Sequence, residues 1–424
     1  MDIEFVRNQF PALEREFTFM DNAGGSQTLK KVAERISGYL LHHNVQLGAS
    51  YKVSREAGEK LTYATKQVSK YINAGRPEEV VIGPSSSMLL RILSICISKQ
   101  WQEGDEVIVT NTDHEANVSP WTDLKEKGIK VKIWKANPES LELEISDLNK
   151  LLTKRTKLVA VTHASNILGS INPIKEIAKT VHKAGALICV DGVAYAPHRR
   201  VDVRKLDVDF YVFSWYKTYG PHLAVIYGKY NQLYKMDGIN HYFFTKKDVP
   251  YKFQPGNLNF ELTYSLLGIT EYFEQLFKHE FPREKKIDFQ QKMDKIFEHI
   301  GRHEERISKP LINYLAEHPD IKIIGKDTAD REQRVPTISF VHHKMKSDEI
   351  VEKVDDYPIY LDGEAKLYRY LKKNLHFSPM LKSKRNEGAI IVQLAINTNG
   401  EIENCKVLKS FSQKYEQNVL EVFK

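Results

Sequence analysis

Short apolar runs, interleaved with stretches of helical periodicity, constrain this chain more than any other feature. The runs fall at residues 80–82, 106–110, 130–134, 158–162, 186–191, 210–213 and 223–227. Helical spacing of apolar residues covers 29–41, 55–73, 88–98 and 173–182. Alternation of this kind predicts an α/β fold built on a mainly parallel central sheet covered by helices on both faces. Beyond it, residues 261–318 read as helical, with a charged amphipathic stretch near 283–306 expected to be solvated. Residues 321–324 and 335–342 read as strands of a smaller α+β domain, and a further helix begins near 347.

In a parallel sheet, ligands gather beyond the carboxyl ends of the strands. The turns that follow five runs place Ser86, His114, Asn166, Asp191 and Lys217 at that edge. Any one of these residues alone would be unremarkable; the convergence carries the signal. Lys217 follows the buried run 210–213 and the polar Ser214, where an ammonium loses hydration. Such a lysine is either a surface residue or an amine with lowered pKa that attacks a carbonyl to form a Schiff base. Asp191 closes a second buried run. The small, hydroxyl-rich turn 83–87 opens a helix, so it is either an ordinary serine cap or an anion site. Gly24 and Gly25, in the turn 21–27, let backbone pass close to a ligand or serve a plain turn.

Taken together, these motifs resemble the class V aminotransferase and cysteine desulfurase family of fold-type-I pyridoxal 5'-phosphate enzymes. The likeness spans roughly residues 15–354 and includes the stretch 163–169, His-Ala-Ser-Asn-Ile-Leu-Gly. The resemblance implies that Lys217 forms the Schiff base and that Asp191 pairs with the pyridinium nitrogen. It implies that His114 stacks on the cofactor ring and moves protons. Ser86 and Ser87 would contact the phosphate, in place of the usual threonines, and Asn166 would bond the ring oxygen. Ser214 belongs to the same cofactor-binding set. Asn257, where the family usually has threonine, lies in a loop that reaches the partner subunit's cofactor, which implies a homodimer.

The likeness breaks in places. Ala194 stands where the family has Gln or His, with Tyr195 or His198 as replacements, and Tyr216 stands where desulfurases have His. Beyond about residue 355, neither the arginine expected for the substrate carboxylate nor a loop cysteine is visible, leaving Arg55 or another large-domain arginine for the first role. Instead, 360–424 reads as helix 364–374, strand 389–396, turn 397–400, strand 401–408 and a closing helix; Asn399-Gly400 is a strong hairpin signal. That segment is similar to the C-terminal domain of TonB-type energy transducers, which bind protein partners. The expected domains are therefore a cofactor-binding domain at 15–255, a truncated small domain at 256–354 with 1–14, and the TonB-like domain at 355–424.

Composition narrows the function classes. The net charge of +7 is spread along the chain, and its densest cluster is residues 382–385, too short to argue nucleic-acid binding. The three cysteines, Cys96, Cys189 and Cys405, are too scattered for a disulfide framework or a metal site. No signal peptide or membrane-spanning run is visible, so the cytoplasm is the expected compartment and the partners are a small amino acid and a second copy of the chain. Two functions stand. One is a transferase or lyase on a small amino acid, with transamination, lyase chemistry and decarboxylation open and desulfuration disfavoured. The other is a catalytically impaired chain whose TonB-like segment binds protein.

Overall fold

The structure, a computed structural model, describes residues 1–14, 19–284 and 286–355, together with the strands at 391–396 and 402–409. Two compact units divide the chain. The first comprises Met1–Glu14 and Phe19–His343, and the second begins at Lys344.

A seven-stranded sheet organises the first unit: β1 (Val80–Gly83), β2 (Glu106–Thr110), β3 (Lys130–Trp134), β4 (Thr156–Thr162), β5 (Leu187–Asp191), β6 (Phe210–Ser214) and β7 (Ala224–Gly228). Its order is β1-β7-β6-β5-β4-β2-β3. β7 runs antiparallel to both β1 and β6, and every other pairing is parallel, so β7 alone is reversed.

Alternate residues of the strands enter two separate cores. Val159, Val161, Ile188, Val190, Tyr211 and Phe213 join one, whereas Leu158, Ala160, Cys189, Phe210 and Val212 join the other. Burial on both faces explains why the inner runs are continuously apolar, whereas the edge strand β3, with Lys130 and Lys132, is only partly buried. The Ser86–Ser98 helix covers the second face with Leu89, Leu90, Leu93, Cys96 and Ile97. The Ile174–Lys183 helix covers the first with Ile174, Ile177, Ala178 and Val181, a stripe at helical spacing.

The expected helical region at 261–318 is three helices: Phe260–Ser265, Leu267–Glu280 and Phe289–Glu317. The last starts at a capping box in which Asp288 and Gln291 satisfy each other's backbone. It buries Met293, Ile296, Phe297 and Ile300 in the first core, so the stretch expected to be solvated has one core face. β8 (Ile321–Ile324) pairs antiparallel with β9 (Ser339–His342). β9 is shorter than the apolar run 335–342 because its first residues bond elsewhere: Val335 N–H donates to Gly169 O at 2.9 Å, and Ser170 bridges Arg334.

In the second unit a helix spans Ser347–Asp355, and β10 (Ile391–Ile396) pairs antiparallel with β11 (Ile402–Lys409). The pairing matches the expected hairpin strands. The turn 397–400, the helix 364–374 and the closing helix lie outside the described residues. No helix among the described residues is long and apolar enough to cross a membrane.

Candidate active site

Six strands of the sheet end on one edge, and side chains at the ends of five of them, β1, β2, β4, β5 and β6, form the candidate site. β5 ends on Asp191 and β6 on Ser214, and Lys217 follows in a short 3-10 turn, Trp215–Lys217. Asp191 is 3% exposed, and its Oδ1 accepts the Val193 N–H at 2.9 Å. Burial pushes its carboxyl up to about 6, against the Val193 bond and the Lys217 charge, which both favour ionisation. Lys217 is half-buried, and desolvation lowers its pKa despite the charges of Asp191 and Asp21. Lowering its pKa makes the amine easier to deprotonate and so more available as a nucleophile, while the acid opposite it stays largely ionised at pH 7.

The lysine turn is stapled to the glycine-rich turn near the N-terminus. Tyr216 O accepts both the N–H and the hydroxyl of Ser26, at 2.9 and 3.0 Å, and the Tyr219 N–H donates back to Ser26 Oγ at 2.8 Å. A Cβ at Gly25 would sit 3.4 Å from the Tyr216 ring, an ordinary contact, so the two turns pack closely here without steric need of glycine. Tyr216 itself stacks on His222, with centroids 5.3 Å apart, and the Lys217 ammonium lies 5.9 Å from the Tyr216 ring.

At the amino end of the Ser86–Ser98 helix the cap is Ser85, whose side chain accepts the Met88 N–H at 3.2 Å. That leaves the first-turn N–H groups of Ser86 and Ser87 pointing toward the edge, where the helix dipole favours an anion. Ser214 Oγ donates to Ser86 Oγ at 3.1 Å, joining this turn to the end of β6. Gln254, at the base of the loop that carries Asn257, donates its amide to Ile82 O at 2.9 Å and so fixes the loop at the end of β1. Asn257 is exposed and bonds Gln46 Oε1 of the same chain at 3.2 Å.

His114 follows β2 and caps a short 3-10 turn. Its exposed ring accepts the Ala116 N–H at Nδ1, 3.1 Å away, which leaves Nε2 as the protonated nitrogen of the neutral ring. Asn166 is half-buried after β4, and its amide makes no hydrogen bond to protein among the described residues. Its loop is clamped from outside: Arg334, 2% exposed, spreads its guanidinium over the carbonyls of Leu168, Thr337, Val335 and Lys326. Gly169 has φ +73°, and a side chain there would meet Thr337 O at 2.4 Å.

The two residues weighed as replacements at the Ala194 position are otherwise engaged. His198 Nδ1 lies 2.7 Å from Glu304, and Tyr195 stacks on His163 with centroids 3.5 Å apart. His163 in turn bonds the Tyr211 hydroxyl at 2.8 Å, and burial drops its pKa to about 3, so it is neutral. Arg55 is exposed and donates to Ser50 O. Cys96 and Cys189 are buried free thiols, pushed up by desolvation, the first to about 11. Neither is a nucleophile in this state.

Reasoning from sequence missed Asp113, Gln254 and Arg334. Only Asp113 had a local signal, as the residue before His114; Gln254 and Arg334 act through bonds to backbone carbonyls, which no side-chain pattern marks.

The family model described as "Aminotransferase class-V" matches residues 18–365. The chain belongs to the class-V aminotransferase family. Among curated proteins, the aminotransferase-like protein FGM3 of Gibberella zeae is 42% identical over 362 residues, covering 83% of this chain and 85% of that protein. The cysteine desulfurase-like protein ustD of Aspergillus flavus is 33% identical over 365 residues, covering 84% and 78%. Among solved structures, the apo cysteine desulfurase from Thermococcus onnurineus NA1 superposes with a TM-score of 0.71 at 24% identity, covering 83% of this chain and 85% of that one. The fold is thus that of the fold-type-I pyridoxal phosphate enzymes, with the mainly parallel sheet described above.

Pyridoxal phosphate is the cofactor of the class-V family. The residues at the strand edge fit it: an amine of lowered pKa, a buried carboxylate that among the described residues feels the charge of Lys217 alone among cations, an amide with no protein partner among the described residues, and a helix amino end with open first-turn N–H groups.

Proposed function

We propose that this class-V family member is a pyridoxal phosphate enzyme acting on a small amino acid, with Lys217 as the amine that bonds the cofactor aldehyde. One observation carries the reading: Asp191 ends β5, Lys217 sits in the turn just after the neighbouring parallel β6, both are desolvated, and each biases the other's charge. When bound, pyridoxal phosphate supplies an electrophilic carbonyl and a ring that accepts electron density.

The chain's own groups then have distinct tasks. Lys217 presents an amine that desolvation makes easier to deprotonate. Asp191 holds a negative charge against a ring N–H donor. Ser86 and Ser87, with Ser214 behind them, offer donors to the phosphate. Asn166 offers its free amide to the ring substituent, and His114 moves a proton at Nε2. Asn257, on a loop anchored by Gln254, is assigned to the cofactor of a second copy, which makes the working unit a homodimer. Transamination, lyase chemistry and decarboxylation share these groups. The buried state of Cys96 and Cys189 weighs against desulfuration by either thiol.

The test is an absorbance spectrum of the purified protein, followed by titration with small amino acids including L-alanine and L-cysteine. A visible band that responds to one of them supports the reading. A colourless protein that takes up no added pyridoxal phosphate overturns it.

For the domains we keep the division at 15–255, 256–354 with 1–14, and 355–424, and a cytoplasmic location. For residues 360–424 we propose a TonB-like protein-binding role, supported by the antiparallel pairing of β10 and β11. Full cofactor loading and turnover in a chain ending at 355 would separate that role from catalysis. Loss of cofactor binding in that chain would make the segment part of the enzyme.

A further inference from the structure

Asp113 stands between the His114 turn and Asp191, and no role at the site has yet been given to it. Its Oδ2 accepts the Thr162 N–H at 2.9 Å and the Thr110 hydroxyl, and its Oδ1 accepts the Asn117 amide. All three donors are neutral. Thr162 is the last residue of β4, and its Cα partner on β5 is Asp191. Thr162 Oγ1 also contacts Asp191 O at 3.3 Å. The two acids therefore flank the end of one strand, and among the described residues Lys217 is the cation whose charge acts on Asp191. We propose that Asp113 is a positioning residue that ties the His114 turn to the end of β4 and, through its charge, sets the proton affinity of Asp191 and of the groups Asp191 faces.

The electrostatics agree with this geometry. Burial raises the Asp113 carboxyl to about 7, with the Asp191 charge adding to the rise. The buried Cys189 thiol of β5 feels both carboxylates. Lys217 faces Asp191 from the turn after β6, and Asp21 faces Lys217 in turn. On its own turn Asp113 is flanked by His114 and Glu115. Two like charges so placed lose their protons in separate, linked steps. An ionised Asp113 deepens the negative potential at the site, so every protonated group there keeps its proton to higher pH.

The inference rests on Lys217 and Asp191 being the cofactor pair. Asp113→Asn tests it with little disturbance. The new amide can donate to Asn117 once that side chain turns its oxygen inward, at the cost of its 3.4 Å contact with Trp121 Nε1. The readout is the pH midpoint of the visible band of the substrate-free, cofactor-loaded protein, with thermal stability followed alongside. Removing the charge should move the midpoint down by about 0.5–1 pH unit, the scale of one nearby charge. Thr110→Val removes one donor from Asp113, so Asp113 holds its proton more tightly and the midpoint should move the same way, but less.

Asp113→Glu keeps the charge and should titrate near wild type. A changed stability with an unmoved midpoint in both Asp113→Asn and Thr110→Val overturns the inference, and so does an upward shift. If Asp113→Asn does not fold, Thr110→Val decides alone. A wild-type protein with no band at all would instead fail the cofactor reading, which keeps the two outcomes apart.

Discussion

Asp191 and Lys217, at the ends of the adjacent strands β5 and β6, each oppose what burial does to the other. Desolvation drives Asp191 toward its neutral acid and Lys217 toward its neutral amine, while their mutual attraction favours the ion pair. A group that must lose a proton before it can attack, facing one that must keep its charge, is a poised arrangement.

Replacing Asp191 should separate holding from chemistry. Asp191→Asn keeps the Val193 N–H contact through its oxygen and leaves the Ser86–Ser87 anion site intact. Pyridoxal phosphate should still bind, with affinity reduced by roughly tenfold or less, since about 1.4 kcal/mol is one factor of ten. Turnover on the responding amino acid should fall far more steeply. Equilibrium binding by fluorescence, set against steady-state kinetics, checks both; near-normal turnover would remove the assigned role.

The anion site can be probed from Ser86. Ser86→Ala deletes the hydroxyl that Ser214 contacts at 3.1 Å. A hydrogen bond to a charged group contributes about 1.5–3 kcal/mol, so phosphate affinity should drop by roughly 10- to 100-fold. Pyridoxal, which lacks the phosphate, should bind the variant and the wild type alike. Equal losses for both ligands would place the phosphate elsewhere.

The stability of the cofactor-free protein should carry the signature of raised carboxyls. Asp113 and Asp191 hold their protons to about pH 7 and 6, whereas an unfolded aspartate releases its proton near pH 3.9. Between those values the folded chain binds more protons, so stability falls as pH rises through the window and the loss is complete above pH 7. Comparing wild type with Asp113→Asn isolates one of the two groups. The wild type should gain relative stability at pH 5 and lose it at pH 8, read as a change in the difference of thermal midpoints. A difference that stays constant with pH would contradict the assignment.

The proposed assembly rests on the loop at 254–259. Gln254 pins its base to Ile82, while Gly256 and Asn257 project into solvent. Sedimentation of the cofactor-loaded protein should give the mass of a dimer, and Asn257→Ala should weaken phosphate affinity without changing that mass. A fully loaded monomer would contradict the shared site.

Much of this architecture was legible because the strands are buried on both faces. Val107, Ile108 and Val109 read as one apolar run, since each side of the sheet has its own core. The strand-end residues were legible for a related reason: a Lys or Asp that closes such a run interrupts it sharply. Asp113 was not, because an acid in a polar turn looks like any solvated one until Thr162, far off in sequence, donates to it. Arg334 escaped for a different reason: its partners are backbone carbonyls, which no side-chain pattern encodes. The run at 335–342 misled in part: its first residues bond the Asn166 loop instead of β8. The cap at Ser85, one residue before the two serines singled out, shows how a row of like residues hides which one turns inward.

The most direct test of the account is where the cofactor becomes attached. Borohydride reduction of the loaded protein, followed by peptide mapping, should fix a single pyridoxyl group on Lys217, and Lys217→Ala should show neither the adduct nor the visible band. An adduct on another lysine, or an unchanged band in Lys217→Ala, would contradict it.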